Sequence, residues 1–469
     1  MFKVLEILKS YSGIYMFKTF DKDNVDCKSY EDYINDVEKC AWQLEKLCGT
    51  IEDKHIGIIG KSGYEYLVLL AAIIFSRGVA VPLNENETEE NLGFAIKNAE
   101  IDILIASSEK EYRYEGITVF SYETVFDQDS DRLTLKDFDD EESERLALIL
   151  FTSGTTSLSK GVALSVGNLF YDQLLALPKI CFDDPSKALG MMTYSNFPFY
   201  HLAGIVIWLS AAENGGTLCY SKDARNILKD LECNRIDCAV VTPAVLKLWV
   251  NCIKHDRMGR LGFVKHIISG GAIIEPELVR FFTANGITVA QYYGQTETGG
   301  VVTCNYETET NPESIGKAIK GADISIRDGE ICVRYWGNMQ GYYNNPDETA
   351  KYLKDGVIYT GDLGYIDDNG YVYITGRKKN LIILSGGENV SPEEIEAKLY
   401  GCNEIKECRV YEKNDRIIAD IFAPGIEKND IKSYVDSMNK NMPIYKRISK
   451  FNLCENELEK TSIGKIKRQ

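Results

Sequence analysis

The sequence has no Cys-x-x-Cys pair and no cysteine–histidine cluster, although it holds thirteen cysteines in 469 residues. That scatter argues against a zinc module and a disulfide framework, and it suits reduced thiols in a cytoplasm. Long apolar runs are also missing. The longest, Tyr66 to Phe75, is half of what a bilayer-spanning helix needs and is expected as a buried helix. Met1-Phe2-Lys3-Val4-Leu5-Glu6 carries no signal-peptide apolar region. Positive charge is scarce: 53 Lys and Arg face 70 Asp and Glu, a formal net charge of −17. Such a field repels polyanions, so neither nucleic acid nor an anionic membrane is expected as a general partner.

A chain of 469 residues exceeds one compact core, so two or more domains are expected. At 44% hydrophobic and 26% charged, the composition is that of a globular protein. Tyr30, Tyr33, Ile34, Val37, Cys40, Ala41, Leu44 and Leu47 recur at helical spacing within 28–48. A strand over 55–60, a helix over 65–76 and a strand over 78–84 follow, the order of parallel βαβ units. Residues 122–145 are acidic and aperiodic, which predicts a solvated connector.

Next comes the apolar strand Leu146 to Phe151, which empties into Thr152-Ser153-Gly154-Thr155-Thr156-Ser157-Leu158-Ser159-Lys160-Gly161. Small residues let backbone N–H groups approach an anion, hydroxyls add donors, and Lys160 adds a compact positive charge. A Ser/Thr-rich turn is the plainer alternative. The loop resembles the signature of the adenylate-forming superfamily (acyl-CoA and aryl-CoA synthetases, peptide-synthetase adenylation domains, luciferases), Thr-Ser-Gly-Thr-Thr-Gly-x-Pro-Lys-Gly. Thr152, Ser153, Gly154, Thr155, Thr156, Lys160 and Gly161 match. Ser157 and Ser159 stand where the pattern has glycine and proline, which alters loop stiffness and the allowed backbone angles.

Further segments follow in the family's order. Pro198-Phe199-Tyr200-His201-Leu202-Ala203-Gly204 resembles the segment whose histidine lies beside the acid substrate. Ile205 to Leu209, just after it, either line an apolar pocket or belong to the core. Gly270-Gly271-Ala272 resembles the turn covering one face of adenine. In Gln291-Tyr292-Tyr293-Gly294-Gln295-Thr296-Glu297, Tyr293 suits stacking on a base and Gln291 an exocyclic amine. Thr296 can donate to a phosphate, and Glu297 offers a hard oxygen to Mg²⁺. The resemblance places Tyr292 and Gly294 at the same nucleotide site. It makes Asp362 a ribose ligand, Arg377 a ribose or phosphate contact, Lys379 a hinge and Gly386-Gly387 part of a thiol tunnel. Lys465, in Thr461-Ser462-Ile463-Gly464-Lys465, becomes the catalytic lysine. Glu459 stands where that last motif has proline. Ser391-Pro392-Glu393-Glu394 reads as a helix start with a capping box.

The resemblance implies an α/β fold: a large N-terminal domain, 1–376, of two doubly wound βαβ subdomains plus a small β-rich subdomain, a hinge at 377–380, and a small mobile α+β domain, 381–469. It implies a cytoplasmic acid–thiol ligase. ATP and a carboxylic acid form an acyl-adenylate with Mg²⁺, and coenzyme A then takes the acyl group. Lys465, Lys160, Thr296, Glu297 and His201 form the catalytic set, with Glu297 as metal ligand. Phe197 to Ser210 lacks an acidic residue to hold a substrate amine, so an apolar acyl or aryl acid is expected. The chain is short for this family, which suits simple acyl-CoA or succinylbenzoate-type ligases. No carrier domain follows Gln469, so coenzyme A is the first choice of acceptor. Loading of a carrier protein, and a catalytically weak nucleotide-binding scaffold, are the alternatives.

Overall fold

The computed structural model describes residues 3–21, 24–107, 111–126, 131–152, 159–170, 189–256, 261–272, 274–385, 388–402, 404–460 and 466–467. The chain forms two compact units. The first holds 1–324 and 333–358, and the second holds 325–332 and 359–469.

The first unit is α/β and built on two large sheets. A seven-stranded sheet runs in the order Gly341–Tyr342, Lys160–Ser165, Leu146–Thr152, Val79–Leu83, His55–Ile59, Ile103–Ala106, Thr118–Ser121. Its last five members are parallel, and the first two join antiparallel. The parallel strands read as continuous apolar runs because helices cover both faces. Tyr30–Cys48 and Tyr64–Phe75 pack on one face, and Glu89–Asn98 on the other. Ser29 starts the helix Tyr30–Cys48 with a capping box, its hydroxyl accepting from Asp32 N–H while Asp32 accepts from Ser29 N–H. In Tyr64–Phe75 every residue except Glu65 is buried, so this apolar run is a core helix.

The nine-stranded sheet runs Lys317–Ala318, Gly300–Asn305, Thr288–Gln295, His266–Ser269, Cys238–Val241, Met192–Ser195, Thr217–Ser221, Tyr15–Asp21, Asn24–Ser29. The six from Thr288–Gln295 to Tyr15–Asp21 are parallel, so the loops that leave 195, 241 and 269 emerge along one edge with the end of Thr288–Gln295. Such an edge is where open parallel sheets bind ligands.

The acidic stretch 122–145 is anchored more firmly than its composition predicts. Phe138 and Leu135 are buried, and Phe138 stacks with Phe75 and Phe170 at centroid distances of 5.5 and 5.7 Å. Arg77 lies 4.5 Å over the Phe138 ring, pairs with Glu142 at 2.9 Å and donates to the Lys136 and Asp137 carbonyls. Burying one phenyl contributes roughly 2–3 kcal/mol, more than a screened surface charge can oppose, so two apolar residues fix a segment that reads as solvated.

The second unit carries residues 359–366 of strand Val357–Ile366, paired antiparallel with Val372–Arg377, and a three-stranded sheet of Glu407–Glu412, Ile417–Phe422 and Ile448–Leu453. Helices Pro392–Leu399 and Lys428–Lys440 bury Ile395, Leu399, Ile431 and Val435 against that sheet.

Candidate functional site

Three of the expected segments lie along one edge of the nine-stranded sheet. Ser269 and Gln291 are register partners on neighbouring parallel strands, 0% and 2% exposed. Among the described residues neither Ser269 Oγ nor Gln291 Oε1 has a hydrogen-bond partner. A buried acceptor left unpaired costs free energy, so Gln291 Oε1 is suited to a further donor. The turn above it shows why it is rich in glycine. A Cβ on Gly270 would lie 2.5 Å from the Tyr292 ring, while Gly271, at φ +81°, and Ala272 stand exposed. Burial pushes the Tyr292 phenol well up. Tyr293 is buried, and its hydroxyl accepts from Gln295 Nε2 at 3.5 Å.

Gly294 is fixed by contact: a Cβ there would lie 1.7 Å from the Gly300 carbonyl oxygen of the paired strand. The chain then turns through Thr296–Thr298, where Gln295 N–H donates to Thr298 Oγ1 at 3.0 Å. Thr296 and Glu297 are half-buried there. Gly294→Ala is expected to cost about 3 kcal/mol, the upper range for overpacking, because backbone rather than a side-chain tip blocks the methyl. A thermal-unfolding midpoint equal to that of the parent chain would show that the turn yields.

Lys160, at the start of strand Lys160–Ser165, and Glu297, in the turn that follows Thr288–Gln295, meet through one residue outside the expected site set, Tyr342. Strand Gly341–Tyr342 pairs with Lys160–Ser165, Val162 opposite Tyr342, and Met339 N–H donates to the Glu297 carbonyl at 2.9 Å. Tyr342 Oη donates to Glu297 Oε1 at 2.8 Å. The Lys160 ammonium stands 5.0 Å from the Tyr342 ring centroid and 4.6 Å from that of Tyr352, and it is ion-paired with Glu348. Lys351 Nζ holds the other Glu348 oxygen at 2.7 Å. Hydrogen bonds from Lys160 and Lys351 keep the Glu348 carboxyl below the usual range. Burial, then the Glu297 charge, raises the Tyr342 phenol. Thr152 faces Lys160 across the strand pair, its Oγ1 3.5 Å from the Lys160 carbonyl. Ser153, Gly154, Thr155, Thr156, Gly386, Gly387 and Lys465 lie outside the described residues.

His201 occupies the N-cap of helix Leu202–Glu213, its ring 4.8 Å from that of Tyr200. Phe199 N–H, two residues earlier, donates to Ser62 Oγ at 2.9 Å. Strands Cys238–Val241 and His266–Ser269 separate the strand feeding His201 from the one bearing Gln291. Ile205 to Leu209 are all buried in that helix.

In the second unit, Asp362 and Arg377 face each other across the antiparallel pair. Arg377 Nε approaches Asp362 Oδ1 at 2.5 Å, and Asp362 is 2% exposed. Lys378 pairs with the buried Glu330 at 2.7 Å, which raises the lysine. Lys379 lies in the turn Lys378–Asn380. Thr375 and Asn380 are tied to the next helix start, Ser391 Oγ donating to Thr375 O at 2.9 Å and Asn380 Nδ2 to Glu393 Oε1 at 2.6 Å.

These residues fit the chemistry of a nucleotide with magnesium. The unpaired Gln291 oxygen suits an exocyclic amine. Among the described residues no group of three or more His, Cys, Asp or Glu could hold a metal by itself. Glu297 alone suits Mg²⁺, which commonly takes one or two carboxylates and completes its shell with phosphate and water. Among those residues, too, no helix is long and apolar enough to cross a membrane.

The family model described as AMP-binding enzyme matches residues 18–343. The 2-succinylbenzoate--CoA ligase of Listeria innocua is 26% identical over 453 residues, covering 94% of this chain and 93% of that protein. The solved structure of O-succinylbenzoate coenzyme A synthetase from Bacillus subtilis, in complex with ATP and magnesium ion, matches with a TM-score of 0.84 at 20% identity over 98% of each chain. ATP-bound MatB from Rhodopseudomonas palustris matches with a TM-score of 0.85 at 24% identity, over 99% of this chain and 97% of that one.

Proposed function

The chain belongs to the AMP-binding enzyme family, and from that premise we propose that it joins a carboxylic acid to coenzyme A through an acyl-adenylate. The observation that carries this reading is the meeting of Lys160 and Glu297 on Tyr342: a cation at the start of strand Lys160–Ser165 and a hard oxygen ligand in the turn Thr296–Thr298.

The carboxylate would attack the α-phosphate of ATP and pyrophosphate would leave. Nucleophile and target are both anions, so the barrier is largely electrostatic. Lys160 and the hydroxyls of Thr152 to Thr156 would take the phosphate oxygens, with Thr296 donating beside them. Glu297 would hold Mg²⁺, which supplies charge neutralisation on the departing phosphates. Gln291 would accept from the adenine amine, with Tyr292, Tyr293, Gly294, Gly271 and Ala272 around the base. Asp362 would take the ribose hydroxyls, and Arg377, already against Asp362, would steady them. Lys465 would bridge carboxylate and α-phosphate, then swing away about 377–380 to admit the thiol past Gly386 and Gly387.

The acid is read as apolar or aryl, with His201 and helix Leu202–Glu213 beside it. The Listeria relative, a 2-succinylbenzoate--CoA ligase, supports 2-succinylbenzoate as the first aryl acid to test. The scattered cysteines support a cytoplasmic setting for this enzyme. Acid-dependent ATP–pyrophosphate exchange, scored over a panel of carboxylic acids with and without coenzyme A, tests the reading. Exchange with one aryl acid, and a thioester only when coenzyme A is present, is expected. Exchange without a thioester would move the acceptor to a carrier protein, and no exchange with any acid would leave a nucleotide-binding scaffold.

A further inference from the structure

We propose that Glu348 is a positioning residue that exchanges places with phosphate on Lys160: its carboxylate holds the lysine when no phosphate is bound and retakes it as pyrophosphate leaves. The inference rests on the reading above, in which Lys160 meets the phosphates of ATP.

Three features of the geometry support it. First, the backbone of Glu348 is anchored. It lies in helix Pro346–Tyr352, where its backbone N–H donates to the Asn345 cap at 3.2 Å, and Thr349 Oγ1 accepts from Tyr342 N–H at 2.8 Å. The backbone that carries Glu348 is therefore tied to the strand that carries Tyr342. Second, Glu348 has a reserve partner. Its Oε1 pairs with Lys160 and its Oε2 with Lys351. Releasing Lys160 leaves the carboxylate paired, and the price of the exchange is correspondingly low. Third, Lys160 keeps its socket in both states. The rings of Tyr342 and Tyr352 hold the ammonium electrostatically, so it need only turn from one anion to another.

An anion that already occupies the lysine competes with every phosphate that approaches. Removing it should strengthen phosphate binding, the reverse of what loss of an ordinary structural ion pair would do. In Glu348→Gln, magnesium pyrophosphate is expected to bind about fivefold more tightly by calorimetry, the scale of one partly exposed ion pair. Pyrophosphate should inhibit the forward reaction more strongly by a similar factor. In the nucleotide-free protein, Lys160 of the variant should react faster with an amine-directed ester, read by peptide mass spectrometry. Glu348→Asp keeps the charge on a shorter arm and should return pyrophosphate affinity toward that of the parent. If Glu348→Gln fails to fold, Glu348→Asp decides alone, with a smaller tightening of the same sign expected. Unchanged or weaker pyrophosphate binding in Glu348→Gln, or in Glu348→Asp where that variant alone folds, would overturn the exchange. If Lys160→Ala leaves magnesium pyrophosphate binding intact, the underlying reading fails instead.

Discussion

Lys465→Ala is expected to lose acyl-adenylate formation by about a hundredfold or more while still converting supplied acyl-adenylate to thioester. The magnitude follows from the charge count. A carboxylate approaching a triphosphate gains most from a cation between them, and one well-placed group of that kind is worth roughly 3–4 kcal/mol in the transition state. The split follows from the second half-reaction, in which a thiolate attacks a mixed anhydride whose phosphate has lost its pyrophosphate. The lysine has no anion pair left to bridge, and a group at that position would stand in the thiol's way. Single-turnover assays of each half, on the same preparation, give the comparison. Equal loss in both halves would refute the two-position arrangement.

Glu297→Gln is expected to lower magnesium-dependent pyrophosphate exchange by about a hundredfold, the scale of removing one preorganised charge contact to the reacting phosphates. The substitution is nearly isosteric. The amide oxygen still accepts from Tyr342 Oη, a 2.8 Å bond in the parent, and the Glu297 carbonyl still accepts from Met339 N–H. The turn should therefore hold and the melting temperature should move little, leaving the defect in metal affinity. Titrating Mg²⁺ at fixed ATP should show a raised requirement. An unchanged magnesium dependence would remove Glu297 from the metal site.

The local segments of this fold were legible in the sequence where they carry their own pattern. The apolar run at 146 to 151 is strand Leu146–Thr152, and the helical spacing over 28–48 is helix Tyr30–Cys48. The Ser391 cap is also as expected, its side chain accepting from Glu394 N–H, although the Glu394 carboxylate reaches Lys446 at 2.6 Å. Tyr342 and Glu348 were hidden for a physical reason. Gly341-Tyr342-Tyr343-Asn344-Asn345-Pro346 is turn chemistry by composition, and its two-residue strand is too short to show a period. Its partner, Lys160, is 188 residues before Glu348, a distance at which local pattern is silent. Phe138 was hidden in the opposite way, as one ring among aspartates whose charges dominate the composition.

The interleaved path of the chain has a practical consequence for anyone dissecting it. Residues 333–358 return to the first unit after 325–332 have left it, and they bring Tyr342, Glu348 and Tyr352 with them. A recombinant fragment trimmed at Tyr343, where the match to the family model ends, would keep Lys160 and strip away its counter-anion and one of its two aromatic walls. Cutting at 324 would remove both walls. A contiguous piece that preserves the lysine's surroundings must therefore run past Tyr352, and it carries 325–332, a part of the second unit, along with it.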